Sequence, residues 1–449
     1  MTARPAAVQA TLPDRIGHGA VLAIAIPIIL ANVTTPLIGL VDTAVLGQLS
    51  DPHYIGGVAI GTMIFNLLYW TFGFLRMGTT GLTAQAEGGG DGSEIGATLI
   101  RALLIAFAAG VALIILQLPI SAISFALLEG SQAVEASASD YFDIRIWGAP
   151  AALANFAFLG WFIGLGRART ALVLQLLLNG TNAILDAWFV LGMGLDVDGV
   201  AYATLISQLV AAMAGIWLSI RVVKHRGITF HMPRILGAKE IRRTLGVNSD
   251  IMIRTISVVF AFTWFTAKSA EGGDVILAAN AVLLTFTYLA AYFLDGFAYA
   301  AETLVGQSIG SQRIKHFHDA VRLSTLWAII LSFVASAVFW FAGGLIIDFL
   351  TINEEVRATA RVYLIWAALV PVIGVMAYQL DGIFIGATRT VDMRNMMLLS
   401  LGIFMLMWAL LTPVYGNHGL WAALVIFMGL RAITLGLRYP ALVRSAFST

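Results

Sequence analysis

Residues 19–49 read GAVLAIAIPIILANVTTPLIGLVDTAVLGQL, and the only charged residue among them is Asp42. At about 1.5 Å per residue, roughly 20 apolar residues of helix cross the hydrocarbon of a bilayer. The stretch is long enough to span, yet it carries a carboxylate near one end. The rest of the chain repeats the pattern. Of 449 residues 59% are hydrophobic and 11% charged, and the mean hydropathy is +0.88. A soluble domain holds about a quarter charged residues. Here the apolar excess falls into successive stretches of about 20–30 residues, which is the composition of an all-α polytopic membrane protein.

Several functions are excluded at once. The net charge is +1 and no basic run is interleaved with aromatics, so nucleic acid is not an expected partner. The absence of cysteine removes disulfides, thiolate metal sites and a catalytic thiol. No Walker A sequence and no H-E-x-x-H are present. "GQSIG" at 306–310 fits G-x-S-x-G, but that motif needs a strand-turn-helix elbow, and here it ends an apolar helix. Gly57-x-x-x-Gly61 is a helix-packing pattern. The chain reads as no enzyme, with no metal and no cofactor. The polar opening MTARPAAVQATLPDR has no brief apolar core followed by a cleavage site and reads as no removable signal peptide.

Twelve helices are expected, at 16–47, 54–83, 95–127, 138–165, 170–192, 198–220, 247–270, 275–308, 318–347, 358–387, 391–414 and 418–442. Lys and Arg concentrate in alternate loops, around Arg167 and Arg169, from Arg221 to Arg243, at Arg313 and Lys315, and at Arg389 and Arg394. By the positive-inside rule these loops face the cytoplasm, with both termini on that side and the chain in the cell's inner membrane. "AEGGGDGSE" (86–94) falls on the same side against its own sign; acidic residues count little in this rule. The basic loop divides the chain into an N-lobe (1–220), a cytoplasmic linker (221–246) and a C-lobe (247–449).

Three pairs of segments suggest a duplication. "GLTAQAEGGG" resembles "TLVGQSIGSQ", with Gln85 matching Gln307. "GWFIGLGRART" resembles "DGIFIGATRT", with Gly164 matching Gly386; both pairs lie 222 residues apart. "DGVAYA" resembles "HGLWAA" at an offset of 220. Six helices per repeat give both lobes the same orientation, related by a pseudo-two-fold axis along the membrane normal, as in transporters.

The polar groups inside these helices cluster by half. In the first half, Asp42, Asp186, Asn182 and Thr204 share roughly one depth near the outer side, and Asn155 lies somewhat deeper. A charged side chain at the centre of a membrane helix costs about 2.5–3.5 kcal/mol on the insertion scale, so such groups face a bundle interior or a wet cavity. Two carboxylates with amide and hydroxyl neighbours can hold a proton or a small cation. Hydrated helix ends are the other reading. The positions 222 after Asp42 and 220 after Asp186 are Trp264 and Leu406, so duplication of the scaffold does not require the acids. Pro27 removes a backbone hydrogen bond in mid-helix and gives either a fixed kink or a bend point. The second half has Arg254, Asp295, Glu302 and Asp381. Arg254 with Asp295 or Asp381 would form an internal pair, structural or tied to substrate. Arg76 lies near an inner helix end and can reach the headgroups.

These residues carry a resemblance to the MATE (multidrug and toxic compound extrusion) family, in its DinF-like branch. It rests on "PLIGLVDTAVLGQL", "NAILDAWFVLGMGLDVDGVAYAT", "DIMIRT", "LDGFAYAAE" and "DGIFIGATR" and covers nearly the whole chain. The resemblance implies a secondary-active exporter of diverse, often cationic and amphipathic drugs, monomeric and driven by a proton or sodium gradient. It implies a cation site in the N-lobe onto which Asp42, Asn155, Asn182, Asp186 and Thr204 map. It further implies that protonation of Asp42 bends helix 1 at Pro27 and expels substrate outward. Two departures bear on the coupling ion. Ile38 stands where some relatives have a tyrosine, and Arg254 lies near where the NorM-like branch has a glutamate for sodium; protons are favoured. A flippase for lipid-linked saccharides in the same superfamily is the alternative. It would carry several intramembrane Arg or Lys, and here the candidates are chiefly Arg76 and Arg254. A channel and an intramembrane aspartyl enzyme complete the field.

Overall fold

The protein is described by a computed structural model over residues 15–48, 51, 53–127 and 131–447. The opening fourteen residues, where a signal peptide was not expected, lie outside the described residues. Twelve described helices are long and apolar enough to cross a membrane. They are α1 (His18–Leu46), α2 (His53–Gly88), α3 (Gly92–Ile115), α4 (Gln132–Gly164), α5 (Ala168–Gly192) and α6 (Asp196–Arg226), then α7 (Ala238–Ala270), α8 (Asp274–Gly310), α9 (Ile314–Leu350), α10 (Glu354–Gly386), α11 (Thr390–Tyr415) and α12 (Asn417–Phe447).

Polar side chains start several helices by accepting hydrogen bonds from otherwise orphaned backbone N–H groups. Asp91 accepts from Glu94 N at 3.1 Å ahead of α3. Asn353 accepts from Glu355 N and Val356 N ahead of α10. The C-terminus of α6 is closed by Gly227 in the left-handed region at φ 61°.

The helices differ from the sequence expectation in two places. The expected third helix, 95–127, is two helices: α3 ends at Ile115 and a separate helix covers Gln117–Leu127. The expected linker 221–246 is mostly helical, because α6 continues to Arg226 and α7 begins at Ala238, with a short helix Met232–Leu236 between them. Lys, Arg and Glu are good helix formers, so their appearance marks the exit from hydrocarbon and not the end of the helix.

Contacts divide the chain into two units, one of Leu30–Asn248 and one running from Ser249 onward that also takes in the start of α1 up to Ile29. The boundary at 248/249 gives the linker to the first unit, where the sequence suggested a separate segment. The start of α1 belongs to the second unit, not to an N-lobe of 1–220, because it packs closely on α8. There a Cβ added to Gly296 would meet Ala25 O at 3.0 Å.

The two units are built on one plan, and the residues that suggested a duplication are the ones that enforce it. In the first, α2 crosses α4 so closely that a Cβ on Gly160 would fall inside contact with the Arg76 carbonyl, and one on Gly164 would lie 2.7 Å from Thr80 O. In the second, α8 crosses α10 in the same way, with Gly382 against Ala298 O and Gly386 against Glu302 O. Each residue in one crossing has its counterpart 222 positions later. Left-handed backbone recurs at the same spacing: Gly90 with Gln312, Gly166 with Thr388, and Gly194 with Gly416. Close approach of backbones through small residues is how helices associate in lipid, where water does not drive them together.

Each unit has an aromatic interior. Phe65, Tyr141, Phe142, Phe158, Trp161 and Phe162 are fully buried in the first. Phe265, Phe286, Phe339, Phe404, Trp421 and Phe427 fill the second. Indole N–H groups find partners there: Trp161 donates to Ile95 O at 3.0 Å and Trp421 to Asn280 Oδ1 at 2.8 Å.

Candidate functional site

The first unit brings Asp42 of α1 and Asp186 of α5 together. Asp186 ends the regular turns of α5, and residues Ala187–Gly192 continue as a π-helical segment, a form frequent at functional positions. Asp186 is wholly inaccessible and Asp42 is 8% exposed. No donor group among the described residues bonds either oxygen of Asp186 or Oδ1 of Asp42. The carboxyls lie within hydrogen-bonding reach of one another. Ionised carboxylates offer acceptors only, so a hydrogen bond between two of them needs one to hold a proton.

One turn before Asp186, Asn182 donates to Thr204 Oγ1 on α6 at 3.3 Å, so these two expected partners meet beside the acid pair. A second polar link joins α5 to α1: Asn179 donates to Thr34 Oγ1 at 2.7 Å, and Gln175 donates to Asn179 Oδ1 at 3.0 Å. Asn155 does something different. Its amide donates to Gln208 O at 3.0 Å, which ties α4 to α6. Pro27 lies within unbroken helix, two residues before the point where the contacts of α1 pass from the second unit to the first.

Sequence reasoning missed Arg145. This buried residue of α4 donates to Tyr141 Oη at 2.7 Å and sits 4.6 Å from the Phe65 ring centre. Its charge acts on both Asp42 and Asp186. A guanidinium stacked on aromatics and facing two carboxyls lets the pocket carry one negative charge without leaving it uncompensated. The signal was present in "YFDIRIWGAP" (141–150), a basic residue followed at once by an apolar run.

In the second unit Arg254 pairs with Asp381 of α10. Asp381 also accepts from Arg431 of α12 at 2.7 Å, so one carboxylate answers two guanidiniums. Arg431 was not anticipated, although "FMGLRAITLG" places it well inside an apolar helix. Asp295 lies near Tyr292 and Tyr378. Glu302 is buried at the α8–α10 crossing. Among the described residues, fully buried Gln379 has no hydrogen-bond partner for either amide atom. Among the described residues no group of His, Asp and Glu is arranged to hold a metal ion.

At the end of the first unit that carries the linker, the acidic loop 86–94 meets basic side chains. Arg226 donates to Glu87 at 2.5 Å, Arg234 makes a forked contact with Asp91, and buried Arg101 pairs with Glu94 while donating to Arg234 O at 2.6 Å. The loop shares the basic side because its acids are neutralised there.

A duplicated bundle of twelve apolar helices, with charged groups held inside each half, defines a polytopic membrane transporter. The chain belongs to the MatE family, whose profile matches residues 27–188 and again residues 251–411, once in each half. It is 41% identical over 413 residues to DNA damage-inducible protein F of Escherichia coli (strain K12), covering 92% of this chain and 90% of that protein. It is 24% identical over 423 residues to the probable multidrug resistance protein NorM of Acinetobacter baylyi, covering 92% and 90%. Among solved structures, a MATE crystal structure described as the bent conformation aligns with TM-score 0.87 at 20% identity, over 99% of this chain and 100% of that one. Members of this family are transporters, and the chain is one by descent and by fold rather than an enzyme.

Proposed function

We propose that this chain is a proton-coupled exporter of amphipathic, often cationic organic compounds, working as a monomer by alternating access. The observation that carries the reading is the Asp42–Asp186 carboxyl pair, buried among apolar helices, with no donor among the described residues to either Asp186 oxygen or to Asp42 Oδ1. A proton shared by the two oxygens leaves one net negative charge opposite Arg145. Losing it leaves two negative charges in low dielectric, a state that needs a counter-ion or a rearrangement. Bound proton and bound cationic substrate are then alternatives in one electrostatic environment, which is the requirement for antiport.

Pro27 supplies the mechanical part. Proline lacks the N–H that would tie its turn to the one before, so α1 is softest there. Its place just ahead of the change of contacts at Ile29 supports bending at that point when Asp42 changes charge. The basic loops support a topology with the linker end of the first unit and both termini in the cytoplasm, in the cell's inner membrane. Sodium is the other ion the oxygen set of Asp42, Asp186 and Thr204 could hold. The experiment is efflux of a fluorescent organic cation from proteoliposomes under a pH gradient or a sodium gradient, with Pro27→Ala beside the natural chain. Transport under the pH gradient alone, and its slowing in Pro27→Ala, is the expected result. Transport under the sodium gradient alone would reassign the coupling ion.

A further inference from the structure

The linker end of the first unit also holds a cavity of about 470 Å³. Phe162 at the end of α4 and Leu218 and Val222 on α6 form its apolar walls, and Arg167, Arg221 and His225 line it with cationic or titratable groups. Its arginines break the rule of their surroundings. Arg101, Arg226 and Arg234 each pair with a carboxylate, whereas none of the described residues forms an ion pair with Arg167 or Arg221. Glu87, the acid that acts on Arg167, is already engaged by Arg226. Burial, and then the like charge of Arg226, hold Arg167 below the usual arginine value, so an anion arriving there would relieve both. Arg221 is fixed with its guanidinium 3.7 Å from the Trp217 ring centre.

From the cavity two exposed apolar stripes run toward the middle of the bundle. Trp217 and Met213 follow Arg221 at one-turn intervals on α6, and Val173 and Leu177 follow Thr170 on α5. A phosphate presents oxygens that match the fork of a guanidinium. Basic pockets between membrane helices at the cytoplasmic surface suit anionic headgroups. We propose that this cavity binds the phosphodiester headgroup of an anionic phospholipid, with its acyl chains lying along Trp217, Met213, Val173 and Leu177. Free phosphate shares the headgroup chemistry but has no use for the two stripes. The site is separate from the acid pair and stands whatever substrate the transporter carries.

The test uses the full chain in bilayer nanodiscs of phosphatidylcholine containing a minor fraction of phosphatidylglycerol, with one of the two lipids brominated on its acyl chains. Trp217 emission is isolated by difference against Trp217→Phe. Brominated phosphatidylglycerol should quench Trp217 more than brominated phosphatidylcholine at equal mole fraction. Arg221→Gln should weaken that preference about fivefold, and Arg167→Gln/Arg221→Gln should abolish it. Arg221 is exposed, so the single variant decides the matter should the double variant not fold. Equal quenching by the two lipids, or a preference untouched in Arg221→Gln, would overturn the assignment. So would a preference erased by millimolar inorganic phosphate, which would identify a soluble-anion site.

Discussion

A carboxylate between two guanidiniums and a carboxylate facing another carboxylate respond oppositely to losing their charge. Asp381 compensates both Arg254 and Arg431. Asp381→Asn leaves buried Arg431 and half-buried Arg254 short of a partner and should destabilise the second unit by about 3–5 kcal/mol. Asp42→Asn instead replaces one of two facing acids with a group that can donate to Asp186, so its thermal midpoint should equal or exceed that of the natural chain. Thermal unfolding of the two variants in one detergent compares them directly, and equal losses would refute the distinction. Arg145 is the third residue of this set. Arg145→Met removes a buried hydrogen bond to Tyr141 and a cation–π contact with Phe65, a loss of about 2–3 kcal/mol. It also leaves the acid pair without its cation, so drug efflux should fall at a driving force that supports the natural chain. Unchanged efflux from a stably folded Arg145→Met protein would separate Arg145 from the coupling chemistry.

The helices are positioned by glycines that have no substitute at their crossings. Gly160→Ala pushes a methyl group into the Arg76 carbonyl and Gly382→Ala pushes one into that of Ala298. Each should cost about 1–3 kcal/mol, as overpacking does, and because the crossings lie in different units the two losses should add. A thermal-unfolding series of the single and double variants measures this, and a double variant no worse than either single would show the crossings to be coupled. These elements were largely legible in the sequence. Apolar length located all twelve helices, and the likeness of "GWFIGLGRART" to "DGIFIGATRT" marked both crossings because close packing constrains residue identity there. The ends were less legible. Helix propensity continues past the hydrocarbon, so Arg221–Arg226 and Ala238–Gly246 are helix where a polar linker was expected. The helix Gln117–Leu127 was absorbed into its apolar neighbour because both sides of the break at Leu116 are equally hydrophobic. Arg101 is the buried anchor of the linker end. Arg101→Met should free the segment 227–237 for limited proteolysis, and an unchanged cleavage pattern would place the anchor elsewhere.

At the scale of the whole chain, duplication and function pull apart. Both units share the crossing glycines and the left-handed turns, yet the acid pair exists only in the first and the Arg254–Asp381–Arg431 cluster only in the second. One scaffold has been given two different electrostatic interiors. A single-sequence reading found Asp42, Asp186, Asn182 and Thr204 because carboxylates and amides stand out in apolar helices and their depths can be counted. It could not find which pairs meet. Depth along a helix says nothing of rotation about its axis, so it cannot show that Asn155 bonds to Gln208 O or that Arg254 donates to Asp381. The cations missed, Arg145 and Arg431, obey the same apolar logic, since each interrupts or adjoins an apolar run as the acids do. In the mechanism we propose, the Asp42–Asp186 pair couples proton entry to drug exit. The most direct measurement is efflux of a fluorescent organic cation from proteoliposomes under an imposed pH gradient, comparing the natural chain with Asp42→Asn. Coupling through the pair requires pH-driven efflux in the natural chain and a loss of at least tenfold in the variant, with the variant still folded. Equal pH-driven efflux in both would contradict it and move the coupling chemistry to the Arg254–Asp381–Arg431 cluster.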